Sequence, residues 1–183
     1  MITFVIPSLN RPTLKRTIQS LLNQTNPNWK AIVVYDGIDG EVFDDDRIQT
    51  FKIEKLGSFS PHHGMAGLVR NYGLEKCDTE WIGFLDDDDT IDSNYVNTLQ
   101  KKYNEYDFVV WKMLEPNGMI IPRLSNSNLE FGNVGISFCF KNKFKNLRFK
   151  TNRDGEDFDF LMELKKQSNK FIITSEVMYY VKQ

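Results

Sequence analysis

The sequence predicts an α/β fold built on a parallel sheet, because buried strand patterns alternate with helical ones. Residues 2–6, 29–35 and 81–85 are continuous apolar runs, as parallel strands covered on both faces are. Helical spacing of apolar residues fills the intervals, and such alternation implies right-handed βαβ crossovers. Ligands of these sheets bind beyond the carboxyl ends of the strands, so functional residues are expected there.

The first half of the chain alternates strands with helices. In order, the predicted elements are a strand over 2–6, a helix over 13–23, a strand over 29–35, a helix over 65–75, a strand over 81–85 and a helix over 93–103. Apolar residues recur every three or four positions in the helical segments, and Pro12 suits a first helical turn. After the second strand, which ends at Asp36-Gly37, only a turn is expected.

The second half has shorter strands and predicts a mixed or antiparallel extension of the sheet. Its elements are a strand over 108–113, an EPNG turn over 115–118, a short return strand over 119–122, a strand over 136–140, a helix over 157–166 and one or two closing strands over 171–181. No linker rich in Pro, Gly or Ser separates the halves. The sequence therefore predicts a single domain over 1–183.

Composition excludes several classes of protein. A chain of 183 residues that is 40% hydrophobic can bury one sizeable core. Its formal net charge of −2 gives no electrostatic case for binding nucleic acid or an anionic membrane. No apolar run approaches the ~20 residues that span a bilayer, and the amino end lacks a signal-peptide pattern, so a cytoplasmic protein is expected. Cys77 and Cys139 lack metal-site spacing and are expected to be buried free thiols.

Four consecutive aspartates, Asp86 to Asp89, follow the third buried strand. Alternate side chains of an extended segment share a face, so Asp86 and Asp88 are expected to point into the rim while Asp87 points away. Crowded like charges repel, and a hard divalent cation bound through oxygen would offset that repulsion. The alternative is a solvated turn in which Asp89, Asp92 or Ser93 caps the next helix.

Five segments resemble, in order, the motifs of family 2 glycosyltransferases. They are VIPSLNRPTLKRTIQSLLNQT (5–25), VVYDGIDG (33–40), GLVRNYGL (67–74), FLDDDD (84–89) and GEDFDF (155–160). The resemblance implies the GT-A fold, a Rossmann-like three-layer α/β/α arrangement around a mainly parallel mixed sheet. It also implies an inverting enzyme that moves a sugar from a nucleotide-diphosphate sugar, with a UDP-linked donor expected, to a glycan or other hydroxyl acceptor. Residues 1–90 would bind the nucleotide sugar and 91–183 the acceptor.

The resemblance implies roles for residues on the rim of the sheet. Nucleotide-sugar binding is implied for Pro7, Ser8, Asn10, Arg11, Asp36, Gly37, Arg70, Asp86 and Asp87. Asp36 would accept a hydrogen bond from the base, commonly uracil. Asp88 would be the principal ligand of Mn²⁺ or Mg²⁺, with Asp86 beside it, and the metal would stabilise the departing diphosphate. The family often has a small residue where Asp87 stands, and the added charge could alter ribose contacts or metal affinity.

Inversion at an anomeric carbon requires a base that deprotonates the acceptor hydroxyl on the face opposite the leaving group. The resemblance implies that the acidic pair Glu156-Asp157 supplies this base, with Asp157 preferred and Glu156 in reserve. The alternative is that both acids merely complement the positive N-terminus of the helix that they open.

Two other functions fit parts of the sequence. LDDDDT also matches the nucleophile motif of haloacid-dehalogenase-like phosphatases, although that family carries it on the opening strand. A catalytically idle nucleotide-sugar-binding module would use the same rim. His62-His63 is expected to lie in a solvated loop, with a phosphate or metal contact as the alternative. Trp111 and Tyr106 are candidates for an acceptor pocket, although aromatic residues at strand positions are more often core.

Overall fold

The computed structural model describes residues 1–59, 64–123, 128–150 and 155–182, and His62-His63 lies outside them. The strands are β1 (Ile2–Ser8), β2 (Trp29–Asp36), β3 (Ile48–Ile53), β4 (Ser58–Phe59), β5 (Gly64–Met65), β6 (Trp81–Phe84), β7 (Thr90–Ile91), β8 (Phe108–Leu114), β9 (Ile120–Ile121), β10 (Phe138–Lys141) and β11 (Phe171–Tyr180). The helices are α1 (Leu14–Leu22), α2 (Gly67–Lys76), α3 (Tyr95–Gln100) and α4 (Glu156–Gln167), with a short 3₁₀ turn over Asn142–Phe144.

One sheet of nine strands carries the fold, in the order β3-β2-β1-β6-β10-β8-β11-β7, with β9 paired to β8. The first four of these strands are mutually parallel. β10 then runs antiparallel to both β6 and β8, whereas β11 lies parallel to β8 and antiparallel to β7. The expectation of parallel strands followed by a mixed extension is confirmed. β4 and β5 form a separate two-stranded ribbon.

β3 corrects the expectation that only a turn follows the second strand. Its residues, IQTFKI, pair in parallel with Ala31–Asp36 of β2 at the edge of the sheet. An edge strand has one strand neighbour and keeps part of its side-chain surface in water, so polar residues interrupt its apolar pattern. That mixed pattern lacks the continuous apolar run by which β1, β2 and β6 are recognised.

An aromatic cluster packs α4 against the sheet beneath the rim. Phe160 of α4 stacks on Phe149 with ring centroids 4.6 Å apart, and it meets Phe84 of β6 edge-on at 5.8 Å. Phe138 and Phe140 of β10 complete the cluster. Edge-to-face and offset pairs of this kind add to the stability from area burial. The cluster therefore fixes the start of α4 beside the end of β6.

The loop after β6 is also fixed to distant parts of the chain. The hydroxyl of Thr17 in α1 donates to the carbonyl of Asp89 at 2.7 Å. β7 pairs with β11, where Tyr179 lies opposite Ile91. Asp89, considered above as a helix cap, accepts a hydrogen bond from Lys182 N at 2.9 Å instead. The tetra-aspartate segment is therefore a packed loop and not a solvated turn.

Two further expectations are checked by the fold. Cys77 and Cys139 are free and buried, as predicted. Among the described residues, no helix is both long enough and apolar enough to cross a membrane.

The close approach of α2 to β1 yields a stability prediction. A Cβ added at Gly73 would overlap Cγ1 of Val5, a branched side chain that is fully buried in β1. We expect Gly73→Ala to lower the free energy of unfolding by ~1–3 kcal/mol, because overpacking outweighs the gain in helix propensity. Urea denaturation measures this change. Glu75→Ala, on the exposed face of α2, is the matched control, and equal stability of the two variants would contradict the prediction.

Candidate active site

The carboxyl ends of β1, β2 and β6 meet the first turn of α4 at one rim of the sheet. The residues singled out from the sequence lie on five structures around it: Pro7, Ser8, Asn10 and Arg11 at the end of β1; Asp36 and Gly37 at the end of β2; Asp86, Asp87 and Asp88 after β6; Arg70 on α2; and Glu156 and Asp157 at the start of α4. Side-chain contacts join the residues of β1, the loop after β6, α2 and α4, whereas Asp36 bonds to the loop after β3.

Asp87 binds the loop after β1. Its side chain is buried, and Oδ2 accepts hydrogen bonds from Ser8 Oγ at 2.7 Å and Leu9 N at 3.1 Å. Oδ1 forms an ion pair with the guanidinium of Arg11. Asp87 is thus turned toward the loop after β1 and shares Arg11 with Asp88, so the alternation that would set Asp87 apart from Asp86 and Asp88 stays a prediction. The charge at this position holds two loops together, and a contact with nucleotide stays a prediction.

Asn10 and Arg11 turn the chain out of β1 at the mouth of the rim. Asn10 has a φ of 54°, and its backbone N donates to Ser8 Oγ at 2.9 Å. Arg11 is half exposed, and its Nη1 lies 3.0 Å from Asp88 Oδ2. A cavity of about 190 Å³ opens beside them and is also lined by Lys15 and Glu41. This cavity is next to the loop expected to meet the nucleoside.

Asp36 organises the loop that follows β3. Although buried, its carboxylate accepts hydrogen bonds from two backbone groups, Leu56 N at 2.6 Å and Gly57 N at 2.9 Å. Gly37 follows with a φ of 75°, where a side chain would press against Lys55. A base that bound Asp36 would have to share its oxygens with these backbone donors, because each carboxylate oxygen has two acceptor sites.

Arg70 connects three carboxylates in the interior of the site. Only 5% of its side chain is exposed, and it donates from Nη2 to Asp86 Oδ1 at 2.6 Å and from Nη1 to Glu156 Oε1 at 2.7 Å. Asp157 Oδ1 lies 3.9 Å from Nη1. Burial alone lowers the pKa of Arg70, but attraction to the three carboxylates raises it overall. Arg70 therefore stays charged and joins the loop after β6 to α4.

Glu156 fits tightly against the start of α2. Its Oε1 accepts a hydrogen bond from Ala66 N at 3.3 Å, where backbone donors and the helix dipole favour negative charge. A Cβ at Gly67 would lie only 2.7 Å from Oε2, so glycine is required for this approach. Burial raises the pKa of Glu156, and Arg70 partly offsets that rise. Glu156 Oε1 is thus bound by two groups of the protein itself, the Arg70 guanidinium and the Ala66 amide.

Asp157 has a different environment from its neighbour. Its side chain is 26% exposed, whereas Oδ1 itself is shielded from solvent and has no hydrogen-bond partner among the described residues. Burial raises the pKa of Asp157 to about 7, with Arg70 opposing and Asp86 and Glu156 adding to the rise. A carboxylate with a free oxygen and a pKa near neutrality is suited to accept a proton.

Asp86 and Asp88 are the residues that could hold a divalent cation. Burial raises the pKa of Asp88, repulsion from Asp86 and Asp87 adds to the rise, and Arg11 and Lys182 oppose it. Across the described ranges, no set of three or more His, Cys, Asp or Glu side chains is placed to enclose a metal. Two carboxylates fit Mg²⁺ or Mn²⁺ that keeps water and substrate phosphate in its shell. The donor set therefore fits a metal that binds together with a diphosphate.

Tyr179 is a site residue that the sequence did not indicate. Its buried hydroxyl accepts a hydrogen bond from Asp86 N at 3.1 Å and also bonds the carboxyl of Asp89. Burial, strengthened by repulsion from Asp86, raises the pKa of Asp89 to about 7. Tyr179 lies on the closing strand, far along the chain from this loop, and nothing in its local sequence points to the contact.

Comparison with known proteins agrees with this geometry. The family model "Glycosyl transferase family 2" matches residues 3–162. The Staphylococcus aureus poly(ribitol-phosphate) beta-N-acetylglucosaminyltransferase TarP is 27% identical over 207 residues, covering 98% of this chain and 62% of that protein. A Campylobacter jejuni GalNAc(5)-diNAcBac-PP-undecaprenol beta-1,3-glucosyltransferase is 26% identical, covering 93% of this chain and 62% of that one. The chain thus spans less than two thirds of both relatives.

Solved structures show the same fold. The crystal structure of S. aureus TarS 1-349 in complex with UDP-GlcNAc superposes with a TM-score of 0.76 at 18% identity, covering 100% of this chain and 58% of that chain. The expected GT-A fold is confirmed by this match. Because the family model covers most of the sequence, from the first strand into α4, the chain belongs to glycosyl transferase family 2.

Proposed function

We propose that the protein transfers a sugar from a UDP-sugar to a glycan hydroxyl with inversion, with Asp157 as the base and a divalent cation at Asp86 and Asp88. The observation that carries the proposal is the environment of Asp157: its pKa is raised to about 7, and its side chain is 26% exposed, against 10% for Glu156. Asp157 Oδ1 and Glu156 Oε2 are both shielded from solvent and have no hydrogen-bond partner among the described residues. Arg70 holds the Asp157 carboxylate near the loop of Asp86. The UDP-GlcNAc complex of TarS supports a UDP-sugar as the donor class.

Different residues would have different roles in the transfer of the sugar. Asp157 would take the proton of the acceptor hydroxyl, which makes that oxygen a better nucleophile toward the anomeric carbon. Arg11, half exposed at the mouth of the rim, would lie near the anionic diphosphate. Arg70, whose Nη1 lies 3.9 Å from Asp157 Oδ1, would attract this carboxylate electrostatically, and the bond of Arg70 to Glu156 fixes the guanidinium. A bound Mn²⁺ or Mg²⁺ would stabilise the negative charge that develops on the departing diphosphate.

The two alternative functions are less well supported. The phosphatase motif belongs on an opening strand, whereas here Asp86 follows β6 and comes after β1 and β2. An idle binding module has less support because relatives that the chain resembles are named as transferases. Release of p-nitrophenol from p-nitrophenyl phosphate, or binding of UDP-sugars without any turnover, would favour one of these alternatives.

Replacement of the proposed base should separate chemistry from binding. Asp157→Asn keeps the shape of the side chain but cannot accept the proton, so sugar transfer should fall by ~10²–10⁴-fold while UDP binding is retained. UDP release from a UDP-sugar and calorimetry with UDP measure the two effects. Glu156→Gln is the matched control, because it makes the same carboxyl-to-amide change at the neighbouring acid. A dead Glu156→Gln variant beside an active Asp157→Asn variant would assign the base to Glu156.

The rate should depend on pH through Asp157. Its pKa is raised to about 7, and the deprotonated form is the active one, so kcat/KM should fall about tenfold per unit below about pH 7. A pH profile of UDP release tests this. Asp157→Asn should remove the dependence, whereas a profile that stays flat down to about pH 5 in the parent protein would exclude Asp157 as the base.

The same shift predicts an effect on stability that needs no substrate. Because the folded-state pKa of Asp157 lies above its usual value of 3.8, its charge destabilises the fold progressively as pH rises from about 4 to about 7. Asp157→Asn should therefore raise the melting temperature more at pH ~8 than at pH ~5. An equal change at both pH values would mean that the carboxyl titrates normally.

Replacement of Asp88 should have opposite effects with and without metal. Asp88→Asn removes a metal ligand, so UDP affinity in Mn²⁺ should fall by about tenfold or more. In EDTA the same change removes a negative charge beside Arg11, so UDP affinity should stay the same or increase. Calorimetry in the two buffers measures both, and Asp92→Asn, directly after β7, is the control. Unchanged affinity in Mn²⁺ would remove the metal role of Asp88.

A further inference from the structure

We propose that a cavity of about 500 Å³ in the second half of the chain binds the saccharide or polyol that accepts the transferred sugar. Ile121, Arg123, Phe131 and Asn133 line this cavity, which we call the acceptor cavity. The proposal rests on the transferase function, because it assigns the second substrate of the same reaction. Three features of the cavity support it: its place beside α4, an exposed aromatic ring and an unpaired buried amide.

Phe131 connects the acceptor cavity to the proposed base. Its ring meets the ring of Phe158 edge-on, with centroids 5.8 Å apart. On the other side, a Cβ added at Gly155 would overlap the Phe131 ring, so the two residues are in close contact. Gly155 and Phe158 flank the Glu156-Asp157 pair. The wall of the cavity therefore contacts the residues that flank the Glu156-Asp157 pair in sequence at the start of α4.

The Phe131 ring is held outward by a turn. Asn133 N donates to Glu130 O at 3.1 Å, and Gly132 inside the turn has a φ of 74°. As a result, 67% of Phe131 is exposed, although large apolar side chains are usually covered. A fixed aromatic face in a cavity with polar groups is typical of a small-molecule site, and the C–H face of a sugar ring would cover it.

Asn133 supplies the polar contact. The residue is 8% exposed, and its Oδ1 accepts a hydrogen bond from Arg123 N at 3.1 Å, which fixes the orientation of the amide. Its Nδ2 is buried and has no hydrogen-bond partner within the described part of the chain. An unpaired buried donor is costly, and a ligand hydroxyl would satisfy it. Arg123 and Glu130 bring one charge of each sign, so a neutral polyhydroxyl ligand suits the cavity better than an anion.

Binding of simple sugars tests the acceptor cavity without knowledge of the natural acceptor. The probes are ribitol and the methyl β-glycosides of glucose, galactose and N-acetylglucosamine, added to ¹⁵N-labelled protein with Mn²⁺ and UDP. We expect at least one probe to shift the side-chain amide signals of Asn133 and to receive saturation from the ring of Phe131. The shifts of backbone amides in the cavity lining, such as that of Gly132, are present in every variant and give a dissociation constant for each.

Matched variants show whether the two side chains make the contact. Asn133→Asp keeps the oxygen that accepts from Arg123 N but loses the donor, and Phe131→Ala loses the ring. Each should weaken probe binding by roughly 3- to 10-fold. Phe131→Tyr keeps the ring face and should retain binding. Asn117→Asp is the control, because Asn117 also accepts from a backbone N, that of Met119 at 2.9 Å, but lies outside the cavity lining.

The outcomes separate this inference from the proposed function. If no probe shifts the Asn133 amide, or if both variants bind as the parent does, the cavity is not the acceptor site. UDP binding, measured by calorimetry on the same sample, reports on the transferase function independently. A protein that binds sugar in the cavity but neither binds nor cleaves UDP-sugars would retain the saccharide site and lose the assigned reaction.

Discussion

The charge of Arg70 is the constraint on which the site depends. Asp86 comes from the end of a strand and Glu156 with Asp157 from the start of a helix, and without a buried cation these carboxylates would repel one another. The guanidinium can serve several acceptors because its donors form a rigid fork. Removing one partner of such a network leaves a buried charge without its counter-charge. The resulting loss of stability is larger than the net stabilisation that the intact network provides. Arg70 thus connects the elements of the site, and it also limits how far burial raises the pKa of Asp157.

The two members of the acidic pair have different surroundings. Glu156 Oε1 is held by an arginine and a backbone amide, whereas Asp157 Oδ1 has no hydrogen-bond partner in the described chain. Glu156 Oε2 is likewise buried without a partner there, so a free oxygen alone does not distinguish the two acids. Burial raises the pKa of both, and that of Asp157 reaches about 7. Adjacent residues at a helix start point in different directions, so one can anchor the turn while the other faces substrate.

Much of the site was visible in the sequence because it follows strand ends, which continuous apolar runs make recognisable. The sequence does not reveal contacts with a partner far along the chain, such as Tyr179 with Asp86, or contacts with backbone donors, such as Leu56 with Asp36. Trp111, a candidate for an acceptor pocket, is fully buried in the core. In the acceptor cavity that we infer, the aromatic residue is Phe131. A single aromatic residue in a turn has no periodic pattern that would reveal it in the sequence.

The pairing of β7 with β11 has a consequence for how the protein is made. The tetra-aspartate loop leaves the ribosome some ninety residues before Tyr179 and Lys182, which support it from the closing strand. Once residue 160 has been added, the nascent chain carries all five motifs and still lacks the strand that holds Asp86 and Asp89 in place. Non-local pairing of this kind forms late and slowly. The tetra-aspartate loop therefore reaches its packed form only after β11 has been synthesised.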